Sequence, residues 1–255
     1  MYRFLLRPAW IAFHLLVIAG VIVMINLGFW QLSRLDDRKE FNQAVAERSE
    51  QPPVPLADLL AEPDFEPEEY EWRQVTVAGV WLEPQVLVFN RTQMGRAGDN
   101  VLTALRSDAG AASGESIVLV NRGFVALGDD IPDAIDVETA VLGRVRVNQS
   151  RQRGGLTDTP GSDDAITEVR RIEIDRLAPQ YQNGDAVEVA PVYLDLIETV
   201  PPVGASDPIP VPAPELGEGN HLSYAFQWFI FAICVVIGWA LAVRRSVGTR
   251  RAATQ

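Results

Sequence analysis

The chain has 255 residues, with 34 acidic against 22 basic side chains, a formal net charge of −12, one cysteine and two histidines. Such an acidic surplus repels phosphate backbones and excludes nucleic acid as a partner. A lone cysteine excludes a disulfide framework, a paired-thiol redox motif and a thiolate copper centre.

Two uncharged apolar runs lie near the ends, Trp10 to Trp30 and Leu222 to Val243. About 20 mostly apolar residues suffice to cross a bilayer core as a helix, so both runs are expected to span a membrane. The first is longer than the apolar part of a secretory signal. It continues into Phe29-Trp30-Gln31-Leu32 rather than a small-residue cleavage site, so it is expected to remain as an anchor. All 34 acidic residues lie between the runs, whereas six of the 22 basic residues (Arg3, Arg7, Arg244, Arg245, Arg250 and Arg251) sit in the tails. The middle therefore carries 16 basic residues and a net charge of −18. Short basic tails stay on the cytoplasmic side, so both termini are expected inside and the middle outside.

In chain order, the expected organisation is a cytoplasmic tail (1–9), a first transmembrane helix (10–30) and a helical stalk (31–50). A linker of prolines and acids (51–70) leads to a β-rich domain (71–200). A stiff proline-rich linker (201–220), a second transmembrane helix (221–243) and a basic cytoplasmic tail (244–255) follow. Short β-rich runs at Val75–Gly79, Gln85–Phe89, Val101–Arg106, Ser116–Ala126, Val141–Val147 and Val192–Ile197 predict strands, and Ile174–Tyr181 predicts one short helix. The fold class is thus a membrane protein with two transmembrane helices flanking an extracytoplasmic, mainly β domain, sandwich or barrel-like, of α+β type.

Chemistry is scarce in the middle. It holds no histidine before His221 and no cysteine, so neither a Ser-His-Asp site nor a histidine-ligated zinc can be built there. The carboxylate pairs Asp129-Asp130 and Asp163-Asp164 fall in stretches that read as solvated loops; they are all that an anchored glycan hydrolase would have to work with. At the start of the second run, His221, Tyr224, Ala225 and Trp228 fall on one helical face with Gln227 on its flank. An imidazole with a small residue one turn away and aromatics beside it suits a haem ligand; the plainer account is an interfacial aromatic belt. Trp30 and Gln31 close the first run at the same level, where an aromatic anchor followed by Arg34 is equally ordinary. His14 lies near the other end of that helix, about 24 Å from Trp30 at 1.5 Å per residue, so the two histidines cannot share one iron within a monomer.

Four blocks then stand in a familiar order. Gly28-Phe29-Trp30-Gln31-Leu32-Ser33-Arg34-Leu35 resembles the GxWQxxRL signature of the Surfeit locus protein one family. Tyr70 to Gly79 resembles that family's first ectodomain strand, and Val118 to Val125 its VNRGW element, with Phe124 where tryptophan is usual. His221 to Phe229 resembles its HxxYAxQWF motif at the start of the second span. The proline linkers and Arg151 to Ala165 match poorly.

The resemblance implies a cytochrome c oxidase assembly factor of the bacterial plasma membrane, without catalytic activity, that helps form or stabilise the haem a centre of the catalytic subunit. It implies His221 as axial ligand of the haem iron. On that reading Tyr224, Gln227 and Trp228 flank the haem and Arg34 is the candidate partner of a propionate. Trp30, Gln31, Asn121, Arg122 and Gly123 are the expected contacts with the oxidase or other respiratory subunits. The rival expectation is an accessory subunit that binds no haem.

Overall fold

The structure, a computed structural model, describes residues 3–110, 114–134, 137–150, 165–182, 187–202, 204 and 207–252. The elements are α1 (Pro8–Ser49), β1 (Val54–Pro55), α2 (Leu56–Leu60), α3 (Pro67–Tyr70), β2 (Gln74–Gln93), β3 (Arg96–Gly110) and β4 (Gly114–Ala126). They continue with β5 (Thr139–Val147), β6 (Glu168–Val169), α4 (Ile174–Leu177), α5 (Pro179–Gln182), β7 (Glu188–Val200) and α6 (His221–Ala252). The chain forms two compact units, one of Met1–Ala44 with Glu215–Gln255 and one of Val45–Pro214.

The first unit is an antiparallel pair of long helices. With no glycine or proline between Leu32 and Ser49, the first apolar run extends without a break into the charged stalk, giving a helix of 42 residues. On α1 the shielded side is His14, Val17, Val21, Met24, Gly28, Gln31 and Leu35; on α6 it is His221, Ala225, Trp228, Ala232, Val235 and Trp239. Alternating steps of three and four residues are the spacing of a left-handed helix pair. Small residues bring the helices close: a Cβ at Gly28 would lie 2.5 Å from the Phe229 ring, and Ala225 is only 1% exposed. Elsewhere both helices expose large apolar side chains, among them Leu15, Leu16, Ile18, Phe226, Ile230 and Ile237. By length and composition both are able to cross a membrane. Beyond the apolar run Arg38 donates to the carbonyls of Glu215 and Gly217, and Asn42 to that of Leu216, tying the returning chain to α1.

The second unit is a mixed sheet closed on itself. Strand order runs β2-β3-β4-β7-β5, and β5 pairs again with β2. One bent strand closes the ring: Gln74–Gly79 pairs with β5, while Val80–Gln93 pairs with β3. The β4–β7 pairing is parallel and the other barrel pairings are antiparallel, the connectivity of a five-stranded barrel of OB type. The expected strands Val75–Gly79 and Gln85–Phe89 are thus one strand, with register shifts at Leu82/Val86 and at Val88/Arg91. Met94 and Gly95, both at positive φ, make the two-residue turn into β3, as a right-twisted hairpin requires.

Both faces of β3, β4 and β7 are buried, so their sequences run apolar instead of alternating. One cluster joins Val75, Leu105, Val120, Val145 and Leu194 to Leu56 and Leu59 of α2. The other joins Val86, Leu102, Leu119 and Tyr193 to Ile174, Leu177 and Tyr181. Two stretches differ from expectation. Residues 51–70, read as an extended linker, fold onto the barrel through β1, α2 and α3, because Leu56 and Leu59, three residues apart on one face of α2, are buried to 3% and 4% exposure. Each such side chain contributes about 1.5–3 kcal/mol by burial, enough to order a short segment despite its prolines. The helix expected over Ile174–Tyr181 is two single turns, α4 and α5, since Pro179 cannot donate to a continuous ladder.

Candidate functional site

His221 opens α6 and faces α1, where its Nδ1 lies 2.9 Å from Oε1 of Gln31. A carbonyl oxygen only accepts, so Nδ1 carries a proton; in the neutral ring the lone pair is then on Nε2. The edge bearing Nε2 runs past Gly219, whose φ is +68°; a Cβ there would lie 3.4 Å from Cδ2 and 3.5 Å from Nε2. The space beside the ring's free nitrogen is therefore kept clear of a side chain. A neutral imidazole with Nδ1 donating to a carbonyl and Nε2 free is the usual setting of a metal-binding histidine, so the residues present fit an axial ligand of haem iron.

Around it the expected set divides. His221, Ala225 and Trp228 share the side toward α1, whereas Tyr224 is 50% exposed and Gln227 is exposed. Ala225, whose small side chain suggests room for a macrocycle edge, is instead packed inside the helix seam, where it lets the helices approach. Trp30 is 52% exposed, and the Arg34 guanidinium lies 5.9 Å from its ring centre. Arg34 also pairs with Asp37 at 3.2 Å, but both side chains are more than half exposed, so that pair holds it only weakly.

His14 is held the opposite way. Trp239 Nε1–H donates to its Nδ1 at 2.9 Å, which leaves the proton on Nε2. Its free edge is thus a donor, and the ring is committed to joining the two helices. Neither Trp239 nor Gly219 stands out in the sequence. The first reads as one more aromatic of a span and the second as a linker glycine; only the contact and the positive φ mark them.

The VNRG element corrects an expectation. Asn121 and Arg122, anticipated as contacts with a partner protein, are 4% and 3% exposed. Asn121 Nδ2 donates to Asp195 Oδ1 at 2.8 Å, and Asp195 also receives Arg146 at 3.3 Å. Burial raises the Asp195 carboxyl above its ordinary value, with Arg146 opposing the shift. The Arg122 guanidinium donates to Gln85 Oε1 and to Asp207 Oδ1, each at 2.8 Å, and lies 5.8 Å from the Trp81 ring centre. Gly123, at φ +132°, lets Ile209 approach: a Cβ there would stand 2.2 Å from the Ile209 carbonyl oxygen. Phe124 and Ile209 exchange both backbone hydrogen bonds, at 2.7 and 2.9 Å. Arg122 and Phe124 thus hold the return segment against the barrel, while Asn121 is tied to Asp195 within it, and both polar side chains lie below the surface. Asp207 was hidden in the sequence as a single acid among prolines. Asp129 pairs with Arg96 at 3.2 Å on the surface, as a solvated loop charge; Asp163 and Asp164 lie outside the described residues.

A model of the SURF1 family matches residues 18–233, most of the chain and all four blocks. The chain belongs to the SURF1 family. Uncharacterised SURF1-like proteins of Mycobacterium tuberculosis and Mycobacterium bovis are each 32% identical over 258 residues, covering 97% of this chain and 88% of the relative. A SURF1-like protein of Rickettsia bellii is 24% identical over 247 residues, covering 92% of each. SURF1 proteins are known broadly as cytochrome oxidase assembly factors. The family match begins within α1 and ends within α6, so it takes in part of each long helix along with the barrel.

Proposed function

We propose that this SURF1 protein is a non-catalytic assembly factor for cytochrome c oxidase, anchored in the bacterial plasma membrane by α1 and α6. Both termini are cytoplasmic, the barrel lies outside, and the protein holds haem a for the oxidase catalytic subunit. Insertion is supported by the apolar side chains that both helices turn outward, a surface a water-soluble protein would have to bury. Orientation is supported by basic tails on either side of a middle with a net charge of −18.

The observation that carries the haem reading is the free Nε2 edge of His221 beside the bare backbone of Gly219. Haem a, when bound, would supply an iron for which the His221 imidazole would be the protein ligand. His221 offers that nitrogen at the outer end of the helix pair. Trp228 lies on the same side of α6, and Tyr224 and Gln227 lie on the neighbouring exposed side. Arg34 remains within reach of water and can leave Asp37 for a propionate at little cost. One protein ligand suits a carrier, because a single bond is easier to surrender than two.

A deletion strain tests this role. Active cytochrome c oxidase and its haem a absorbance should fall, while terminal oxidases of other types persist. Unchanged oxidase in a strain with no second SURF1 copy contradicts the assembly role. The rival reading, a stable subunit that binds no haem, draws on the packed Ala225, which serves helix pairing rather than a macrocycle. It predicts stoichiometric copurification with mature oxidase and a colourless isolated protein.

A further inference from the structure

The two histidines of this chain are polarised in opposite senses by neighbours on the facing helix. The Nδ1–H of His221 donates to Gln31 Oε1, and Nδ1 of His14 accepts from the Trp239 indole N–H. Each contact selects one tautomer of the neutral ring, and only that of His221 leaves an unprotonated nitrogen free, beside Gly219. We infer that Gln31 is the positioning residue of the site. It fixes His221 as the Nδ1–H tautomer with Nε2 unprotonated, while Gly219 keeps the approach to that nitrogen open.

Three observations carry this beyond the choice of ligand. Gln31 lies on the α1 seam, partly buried, and one turn below it Gly28 lets the Phe229 ring close against the backbone. The amide is therefore presented from a packed helix rather than from a mobile loop. Its distance of 2.9 Å to Nδ1 is that of a well-formed hydrogen bond. At Gly219 the positive φ and the missing Cβ coincide, so the chain turns into α6 without laying a side chain over the imidazole edge. A carbonyl acceptor on the far nitrogen orients the ring and raises the basicity of the free one, and losing such a partner typically weakens metal binding about 10–100-fold. Gln31 thus acts through His221 and needs no contact of its own with the ligand. What the positioned nitrogen receives rests on the haem reading above; the tautomer itself does not.

The test uses the full-length protein in detergent micelles, labelled with 15N-histidine and studied in alkaline buffer, where imidazole is neutral. With only two histidines in the chain, single alanine variants assign both rings. The wild type should show His221 with Nδ1 protonated and Nε2 bare, and His14 with the reverse pattern. Gln31→Leu should move His221 toward the Nε2–H form and leave His14 alone, whereas Gln31→Glu, which keeps an acceptor oxygen, should restore the wild-type pattern. In a titration with ferric haem, Gln31→Leu should bind about 10–100-fold more weakly. Gly219→Asn, which tolerates positive φ but adds a side chain, should weaken binding without changing the tautomer. An Nε2–H His221 in the wild type, or a Gln31→Leu protein with unchanged tautomer and affinity, overturns the inference. A wild-type protein with the Gln31-dependent tautomer that takes up no haem contradicts the haem reading and upholds the positioning role.

Discussion

Arg122 and Asp207, 85 residues apart in sequence, meet at 2.8 Å in a buried ion pair that fastens the chain's return segment to the barrel. Burial lowers the Arg122 pKa from its usual very high value, and Asp207 opposes that shift, so the buried guanidinium depends on its partner.

Removing one member of a buried pair strands the other, at a cost of about 3–5 kcal/mol. Arg122→Met should therefore destabilise the barrel by that order in denaturant unfolding of the full chain in micelles. Adding Asp207→Leu to Arg122→Met should recover part of the loss. If Arg122→Met alone unfolds like the wild type, the return segment is not held by this pair.

Gly123 and Gly128 provide a matched comparison. Both have positive φ, but only Gly123 has backbone against it, since nothing lies within 4 Å of a Cβ at Gly128. Gly128→Ala should cost about 1–2 kcal/mol through backbone strain alone. Gly123→Ala should cost roughly 1–3 kcal/mol more, because the Ile209 carbonyl must move. Equal losses of stability in the two variants contradict the close approach.

Alkaline titration probes the cluster beneath α4 and α5. Burial pushes the Tyr181 hydroxyl up to about 12, and the hydroxyl donates to the Pro84 carbonyl at 2.8 Å. A folded pKa above the unfolded value of about 10 gives stability that is fully present below pH 10. That stability is lost as pH rises toward 12. Tyr181→Phe should cost about 1 kcal/mol at neutral pH for the missing hydrogen bond. The gap between variant and wild type should narrow above pH 10, because the phenylalanine has no proton to lose. A gap that stays constant to pH 12 contradicts the buried neutral hydroxyl.

The proposed orientation rests on the charge split between tails and middle. A reporter that works only in the cytoplasm should be active after Gln255 and silent when inserted after Pro214. The reverse pattern contradicts the orientation.

Much of the architecture was legible because it rests on local pattern. Apolar length marked both helices, the absence of glycine and proline from Leu32 to Ser49 marked their extension, and short β-rich runs marked all five barrel strands. Closure of the barrel was not legible, since it depends on one strand bending between two partners. The folding of 51–70 was hidden by its prolines, because Leu56 and Leu59 reveal a partner surface only in three dimensions. At the site, helical spacing put His221, Tyr224, Ala225 and Trp228 on one face; the structure leaves Tyr224 half exposed, and Ala225, read as room for a ligand, serves the neighbouring helix. Asn121 and Arg122 were expected to meet a partner on the strength of the family resemblance, not of their place in the strand. Here both faces of the strand are covered, and their partners come from distant segments.

The central claim is that His221, and not His14, binds haem a. It is tested most directly by the optical spectrum of the protein purified from cells that synthesise haem a, compared with His221→Ala and His14→Ala. The account predicts a haem spectrum in the wild type, its loss or marked shift in His221→Ala with normal accumulation of the protein, and its retention in His14→Ala. A spectrum that survives in His221→Ala, or that responds equally to both substitutions, contradicts it.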